Sequence, residues 1–262
     1  MLTFVYKSDS MEYQDIIIEE KGSIAIITLN RPASLNALTP LMITELKQTL
    51  TEISNRTDIK VLIVKGAGRA FSAGVDLKAL NEGIQGGQFR ASDILRDGND
   101  IAHILRTMPQ PGIVLVHGHC YTGATELMMF FDLILAAEDA RIGDTHTKWG
   151  ILPKWGMTQR LPKLVGILKA KELSFTAKPI TGKEAEQIGL VNRAVPLEKL
   201  EETAFELANE ILQNSAQTIA AMKHLYNEGF SKTLEEGLAI EQSFLTEITD
   251  RSEFLKNFEK NK

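Results

Sequence analysis

Three continuous apolar runs most constrain what this chain of 262 residues can fold into. They read KVLIVKG at 60–66, GIVLVHG at 112–118 and DLILAA at 132–137. Runs of this kind, without alternating polar residues, are typical of strands buried on both faces of a parallel sheet. Helix-like segments at 92–107 and 123–131 lie between them, and the alternation of strand and helix predicts a layered α/β fold.

The flanking segments complete the secondary-structure prediction. β-Branched residues at 16–30 predict two strands in a hairpin, and Thr39 followed by Pro40 predicts the first turn of a helix. From Pro153 onward almost all signals are helical. Apolar residues three and four apart predict three C-terminal helices, over 196–213, 215–228 and 232–249.

These patterns divide the chain into three parts. Residues 1–10 are predicted to be a disordered extension, 11–195 an α/β core, and 196–262 a C-terminal helical region. The sequence TGKE at 181–184 has the pattern of a helix capping box near the end of the core. We find no repeat or linker, so the core and the helical region are expected to pack as one unit.

Charge and cysteine content bound the function classes. The net charge is −5, so no basic surface for nucleic acid or an anionic membrane is expected. No apolar run approaches the ~18–20 residues that span a bilayer, and the first ten residues lack the pattern of a signal peptide. Cys120 is the single cysteine, which favours a reducing, cytoplasmic location.

Two glycine-containing turns follow the central strands. In GRAFSAGVDLKAL, at 68–80, Gly74 permits a sharp turn that leaves the N–H of Val75 free near a helix start. In GHCYTGATEL, at 118–127, a helix begins near Gly123 and places Glu126 in its first turn. Either turn alone is most simply a structural connection. Together they suit an oxyanion hole with a carboxylate one helical turn away.

The chain resembles the crotonase superfamily, which includes enoyl-CoA hydratases and isomerases. The resemblance rests on NRPASLNAL, FSAGVDLK, GHCYTGATEL, DLILAAEDARIG, GMTQRL and TGKEAEQIGLVNRAV, in the order and spacing of that family. It implies a crotonase-like spiral of ββα turns with a C-terminal helical region that takes part in oligomerisation. It also implies a homotrimer or a dimer of trimers.

The resemblance further implies a bent acyl-CoA substrate, with its thioester oxygen held by the N–H groups of Val75 and Gly123. No metal is expected, because the histidines show no ligand spacing and no carboxylate cluster accompanies them. No redox cofactor is expected either, because the sequence has no nucleotide-binding glycine fingerprint, and CoA enters as part of the substrate. The loop NEGIQGGQFRASD, after Leu80, is expected to form a lid over the acyl group. The residues expected to line CoA come from two segments: Arg31, Ala33, Leu35, Ala37, Ala73, Asp76, Leu77 and Lys78.

His146 departs from the family pattern. Family hydratases use two glutamates; the first matches Glu126, and the second position falls on His146. Three interpretations of His146 remain open. It is an acid or base, or it binds a substrate carboxylate or hydroxyl with Lys148 as a candidate partner, or it is a structural histidine bonded to Asp144 or Thr145. As an acid or base it would have Asp144 as a candidate orienting partner.

The leading function prediction is an acyl-CoA enzyme that adds water across a 2-enoyl-CoA double bond through a stabilised thioester enolate. The alternatives on the same fold are an isomerase, a decarboxylase, a thioester hydrolase, or an acyl-CoA binder without catalytic activity. Trp149 and Trp155 are expected to be packing anchors, and one of them is a candidate wall of the acyl pocket. Phe258 is the C-terminal candidate for a CoA contact.

Overall fold

The apolar runs form the centre of a six-stranded sheet in a computed structural model that describes residues 13–87 and 90–260. The extension predicted at 1–10 lies outside the described residues, as does the side chain of Phe258. Within them the strands are β1 (Ile16–Lys21), β2 (Ile24–Leu29), β3 (Val61–Gly66), β4 (Gly112–Val116), β5 (His119–Tyr121), β6 (Leu133–Ala137), β7 (Arg141–Gly143), β8 (Ile180–Thr181) and β9 (Arg193–Val195).

The large sheet has the strand order β1-β2-β3-β4-β6-β9. β1 and β2 pair antiparallel, as the hairpin prediction required, and every later pair in this sheet is parallel. A smaller sheet, in the order β5-β7-β8, lies beside it. Val61 to Val64 are at most 1% exposed, which confirms a strand buried on both faces. The mixed strand and helix content confirms the predicted α/β class.

Helices cover the sheets and continue to the end of the described chain. They are α1 (Pro40–Ser54), α2 (Leu77–Gln85), α3 (Ala91–Thr107), α4 (Gly123–Met128), α5 (Met157–Val165), α6 (Ile167–Thr176), α7 (Gly182–Gln187), α8 (Leu200–Leu212), α9 (Ala216–Gly229), α10 (Leu234–Ser243) and α11 (Arg251–Lys260). At the start of α1, Thr39 Oγ1 accepts the N–H of Met42 and Pro40 is the first helical residue, as predicted. Thr181 and Glu184 form the predicted capping box of α7.

Two segments differ from the sequence prediction. Residues 88–89 of the expected lid lie outside the described residues, and the rest of it is mainly helical, because Asp76 caps α2, which continues to Gln85, and α3 begins at Ala91. The last of the three predicted C-terminal helices ends at Ser243 rather than at 249. Beyond it, Phe244 stacks on His224 at 5.0 Å between ring centroids, and the N–H of Thr249 donates to Gln217, so tertiary contacts replace the helical pattern. Across the described ranges, no helix has the length and apolarity needed to cross a membrane.

Candidate active site

The two glycine-containing turns pack directly against each other. Gly74 has φ +98°, and a methyl group built on it would lie 2.7 Å from the carbonyl oxygen of Tyr121. A methyl group on Gly123 would lie 2.9 Å from Cγ2 of Val75. Only glycine therefore fits at either position without displacing the other turn. The N–H groups of Val75 and Gly123 accordingly belong to neighbouring turns, and neither has an acceptor among the described residues.

Thr122 holds a strained backbone immediately before Gly123. Its φ of 51° and ψ of −116° are unfavourable for a β-branched residue. Neighbouring groups keep it there: its N–H donates to the carbonyl of Gly143 at 3.1 Å, and its Oγ1 lies 3.3 Å from Oγ1 of Thr145. Because ψ of Thr122 sets the direction of the next peptide bond, the strain orients the N–H of Gly123. Strain of this kind, about 1–3 kcal/mol, is characteristic of functional sites.

Glu126 is buried and anchored through one carboxylate oxygen. Its residue is 2% exposed, and Oε1 accepts the main-chain N–H of Trp155 at 2.9 Å and of Met157 at 3.0 Å. Both donors belong to the turn that begins α5, where free N–H groups and the helix dipole favour a negative charge. The anchor fixes the carboxylate and leaves Oε2 for chemistry.

His146 faces that remaining oxygen. Its Nε2 lies 3.5 Å from Oε2 of Glu126, and its Nδ1 lies 2.6 Å from Oδ1 of Asp144. Asp144 is held in turn by Ser174, whose Oγ donates to Oδ2 at 2.6 Å. The three buried side chains form a continuous chain from Asp144 through His146 to Glu126. The structure therefore brings Glu126, His146 and Asp144 together.

The charges on both sides of the imidazole determine its protonation. Burial lowers the pKa of His146, but the hydrogen bonds and charges of Asp144 and Glu126 outweigh that effect and raise it to about 9. Burial alone would raise the pKa of Asp144, whereas its bonds to His146 and Ser174 bring the pKa below its usual range. His146 is thus an imidazolium at neutral pH, flanked by carboxylates.

The two segments expected to line CoA lie side by side. The N–H of Ala73 donates to the carbonyl of Leu35 at 2.9 Å, and Arg31 pairs with Asp76 at 3.1 Å. Burial raises the pKa of Asp76, but the N–H of Ala79 and Arg31 bring it below the usual value. Ala37 is half-buried and its carbonyl accepts from Arg31. Ala33, Leu77 and Lys78 are exposed beside them, so the segments form one surface strip.

Some contacts were not foreseen from the sequence. The main-chain donors of Trp155 and Met157 and the hydroxyl of Ser174 were missed, although Gly156 before a helix start signals a terminus that could receive a carboxylate. Trp155 is 5% exposed and packs as expected. Trp149 is 65% exposed, so its assignment as a packing anchor was wrong; the αL residue Gly150 ends its short 3₁₀ turn. In the described ranges, no three His, Cys, Asp or Glu side chains are grouped to hold a metal ion.

Comparison with known proteins finds similar sequences and structures over most of this chain. A family model described as "Enoyl-CoA hydratase/isomerase" matches residues 19–261. The Short-chain-enoyl-CoA hydratase of Clostridium acetobutylicum is 37% identical over 234 residues, with 88% of each chain covered. The Crotonyl-CoA hydratase of Syntrophomonas wolfei is 34% identical over 232 residues, again with 88% of each chain covered. The crystal structure of an enoyl-CoA hydratase from Bacillus anthracis superposes with a TM-score of 0.87 at 34% identity, covering 95% of this chain and 97% of that one.

Proposed function

The chain belongs to the enoyl-CoA hydratase/isomerase family, and we propose that it adds water across the double bond of a 2-enoyl-CoA thioester. The single observation that carries the proposal is the facing pair of Glu126 and His146, with Oε2 and Nε2 separated by 3.5 Å. A water molecule and the reacting carbons need an acid–base group within about 3 Å on each side. A carboxylate and an imidazolium supply the base and the acid.

In the proposed addition, Oε2 of Glu126 takes a proton from water as the water oxygen bonds to the β-carbon. The π electrons move toward the thioester carbonyl, and the N–H groups of Val75 and Gly123 stabilise the resulting oxyanion. His146 then gives its Nε2 proton to the α-carbon. Glu126 is left protonated and His146 neutral, and one proton transfer between these neighbouring groups restores the starting state.

Two further features support these roles. The raised pKa of His146 keeps it protonated at neutral pH, as a proton donor requires. The anchored Oε1 of Glu126 leaves a single oxygen to act on the water. Main-chain donors fixed before the reaction begins are effective at oxyanion stabilisation, and removal of one such donor costs about 3–4 kcal/mol in well-studied enzymes.

The experiment follows the loss of the conjugated enoyl absorbance with crotonyl-CoA and longer enoyl-CoA thioesters. The wild-type protein is expected to hydrate these substrates. Glu126→Gln and His146→Ala are each expected to lower kcat by about 100- to 10,000-fold, the usual contribution of an acid–base group. Glu186→Gln and His103→Ala are matched controls at exposed positions.

Turnover that is undiminished in Glu126→Gln or His146→Ala would overturn the assigned roles. Enoyl-CoA thioesters that bind but remain unchanged would overturn hydration itself. Products of a double-bond shift, carbon dioxide release or free thiol would then identify isomerisation, decarboxylation or thioester hydrolysis, and no product would identify a binding protein.

We also propose the assembly, cofactor use and location of the active protein. The C-terminal helices are proposed to build a homotrimer or a dimer of trimers, with CoA entering as part of the substrate and no additional cofactor. The strip formed by residues 31–37 and 73–78 is proposed to contact CoA. Cytoplasmic action is supported by the buried, unpaired Cys120, whose thiol pKa is raised by burial to about 12.

A further inference from the structure

The indole ring of Trp155 is wedged against the proposed oxyanion hole. A methyl group built on Gly123 would lie 3.1 Å from Cζ3 of the ring, and one built on Gly98 of α3 would lie 2.2 Å from Cε2. The ring therefore occupies the space between the N-terminus of α4 and the middle of α3. An acyl group whose thioester oxygen is bound by the N–H groups of Val75 and Gly123 would therefore contact this ring.

A large cavity is lined in part by Trp155. It has a volume of about 1120 Å³ and is bounded by the core and by the C-terminal helices α8 and α9. Trp155 lines it together with Phe130, Arg160, Leu207, Tyr226 and Phe230. Trp155 thus borders both the reaction centre, through Gly123 and Glu126, and this cavity.

Packing alone holds the ring in place. Nε1 of Trp155 is buried and has no hydrogen-bond partner in the part of the chain that the structure describes. An unsatisfied N–H of this kind is costly, so polarity does not explain a tryptophan here. The size of the ring explains the tryptophan here, because the ring fills the gap between α3 and α4 where Gly98 and Gly123 leave space for it.

We propose that Trp155 determines acyl-chain length by separating the reaction centre from the cavity. With the ring present, the site accepts short 2-enoyl-CoA thioesters and excludes long ones. Without the ring, the cavity becomes continuous with the site and receives a longer chain. This inference rests on the proposed function, because it places the acyl group at Val75, Gly123 and Glu126.

The test compares kcat/KM for crotonyl-CoA and trans-2-decenoyl-CoA. Wild type is expected to favour crotonyl-CoA, and Trp155→Ala is expected to shift the ratio toward decenoyl-CoA by about tenfold or more, as the burial of two or more methylene groups predicts. Trp155→Leu is a second truncation that retains apolar bulk, with a smaller shift in the same direction. All these variants keep the main-chain N–H that binds Glu126.

Two controls isolate the size of the ring. Trp155→Phe removes the indole N–H but keeps an aromatic ring, so the preference for crotonyl-CoA is expected to remain. Trp149→Ala removes the other, exposed tryptophan and should leave the ratio unchanged. A wild-type preference for decenoyl-CoA, or an unchanged ratio in both Trp155→Ala and Trp155→Leu, would overturn the inference.

Binding measurements separate this inference from the proposed function. Butyryl-CoA and decanoyl-CoA lack the double bond and report affinity without turnover, by calorimetry on wild type and Trp155→Ala. If no enoyl-CoA reacts but Trp155→Ala tightens decanoyl-CoA relative to butyryl-CoA by about tenfold, hydration fails and the length determinant stands. If hydration proceeds and the relative affinities do not change, the proposed function stands and the role of Trp155 in chain length fails.

Discussion

At the scale of single residues, His146 combines two properties that a glutamate at this position would not. Its Nδ1 is engaged by Asp144 at 2.6 Å, which fixes the ring and directs Nε2 toward Glu126. Its pKa is raised to about 9, so it carries a transferable proton throughout the neutral range. A glutamate would need its pKa raised by burial to hold a proton at that pH. Histidine obtains the same result from adjacent negative charge.

This arrangement predicts the pH dependence of the reaction. The donor is active while His146 is protonated, so kcat/KM is expected to be independent of that group well below pH 9 and to fall as pH rises through about 9. Asp144→Asn removes a negative charge that stabilises the imidazolium, which lowers the pKa of His146 and moves the falling limb to lower pH. The pH profile of kcat/KM in wild type and Asp144→Asn measures the shift.

The profile also distinguishes a base from an acid. If His146 acted as the base, its loss of a proton would increase kcat/KM with rising pH. A limb that rises near pH 9, or one that does not move in Asp144→Asn, would contradict the assignment. His146→Gln, which has no titrating side chain at this position, is the control that should lack the limb.

The pair proposed to be catalytic could be located from the sequence, but the contacts that support it could not. Glu126 and His146 could be placed by family spacing, and Asp144 by its position two residues away. The donors to Glu126 come from residues 155 and 157, about 30 positions along the chain, and no local pattern encodes that contact. Ser174, which fixes Asp144, is equally distant in sequence. Long-range main-chain contacts depend on how α5 and α6 pack, which periodicity does not specify.

At the scale of elements, α9 is joined to the core by a buried lysine. Nζ of Lys223 donates to Oδ2 of Asp132 at 2.7 Å and to the carbonyl of Gln110 at 2.9 Å. Oδ2 of Asp132 also accepts the N–H of Gly112, the first residue of β4. Burial lowers the pKa of Lys223, and the charge of Asp132 partly offsets this. The contact therefore ties a C-terminal helix to the start of a central strand.

Lys223→Met is expected to lower the free energy of unfolding by about 1–3 kcal/mol, because it removes the donor to the Gln110 carbonyl and the positively charged partner of Asp132, which keeps only the N–H of Gly112 among the described residues. The partial exposure of Asp132, at 24% of its side chain, keeps the loss below that of a fully buried pair. Urea unfolding at constant pH measures the change. Lys199→Met removes an exposed lysine paired with Glu202 and should lower the free energy of unfolding much less than Lys223→Met does, because solvent screens that pair. Equal losses in the two variants would show that Lys223 has no special role.

Elements with a strong local signal were predicted well, and those decided by packing were not. Continuous apolar runs identified β3, β4 and β6, since burial on both faces leaves no alternative pattern. The glycines of the segment 81–93 suggested a loop, yet Leu77, Leu80 and Ile84 continue a helix that Asp76 caps. The end of α10 was missed because the following apolar residues make tertiary contacts rather than helical ones.

At the scale of the whole molecule, large apolar side chains remain uncovered on the C-terminal helices. Leu234 is 79% exposed, Leu238 is 46% exposed and Leu245 is 92% exposed. Single exposed apolar residues are common, whereas several within one short stretch mark an interaction surface. These residues favour assembly through α10 and the segment that follows it.

We expect purified protein to have the mass of a trimer or a hexamer by light scattering after size exclusion. The double substitution Leu234→Glu and Leu245→Glu should shift the population toward monomer, because charged groups would have to be desolvated at the interface. Leu41→Glu, at a similarly apolar but separate exposed position on α1, is the control. A monomer in wild type, or a complex unaffected by the double substitution, would contradict assembly through this surface.

The groups proposed to hold charge in this site belong largely to the main chain. The donors on Glu126 are the N–H groups of residues 155 and 157, and those assigned to the oxyanion come from Val75 and Gly123. Every amino acid except proline has a main-chain N–H, so only a substitution by proline would remove one of these donors. Natural variation can therefore change the side chains at 75, 155 and 157 while the main-chain N–H donors that stabilise negative charge are retained. Chemistry and substrate preference can evolve separately on this scaffold.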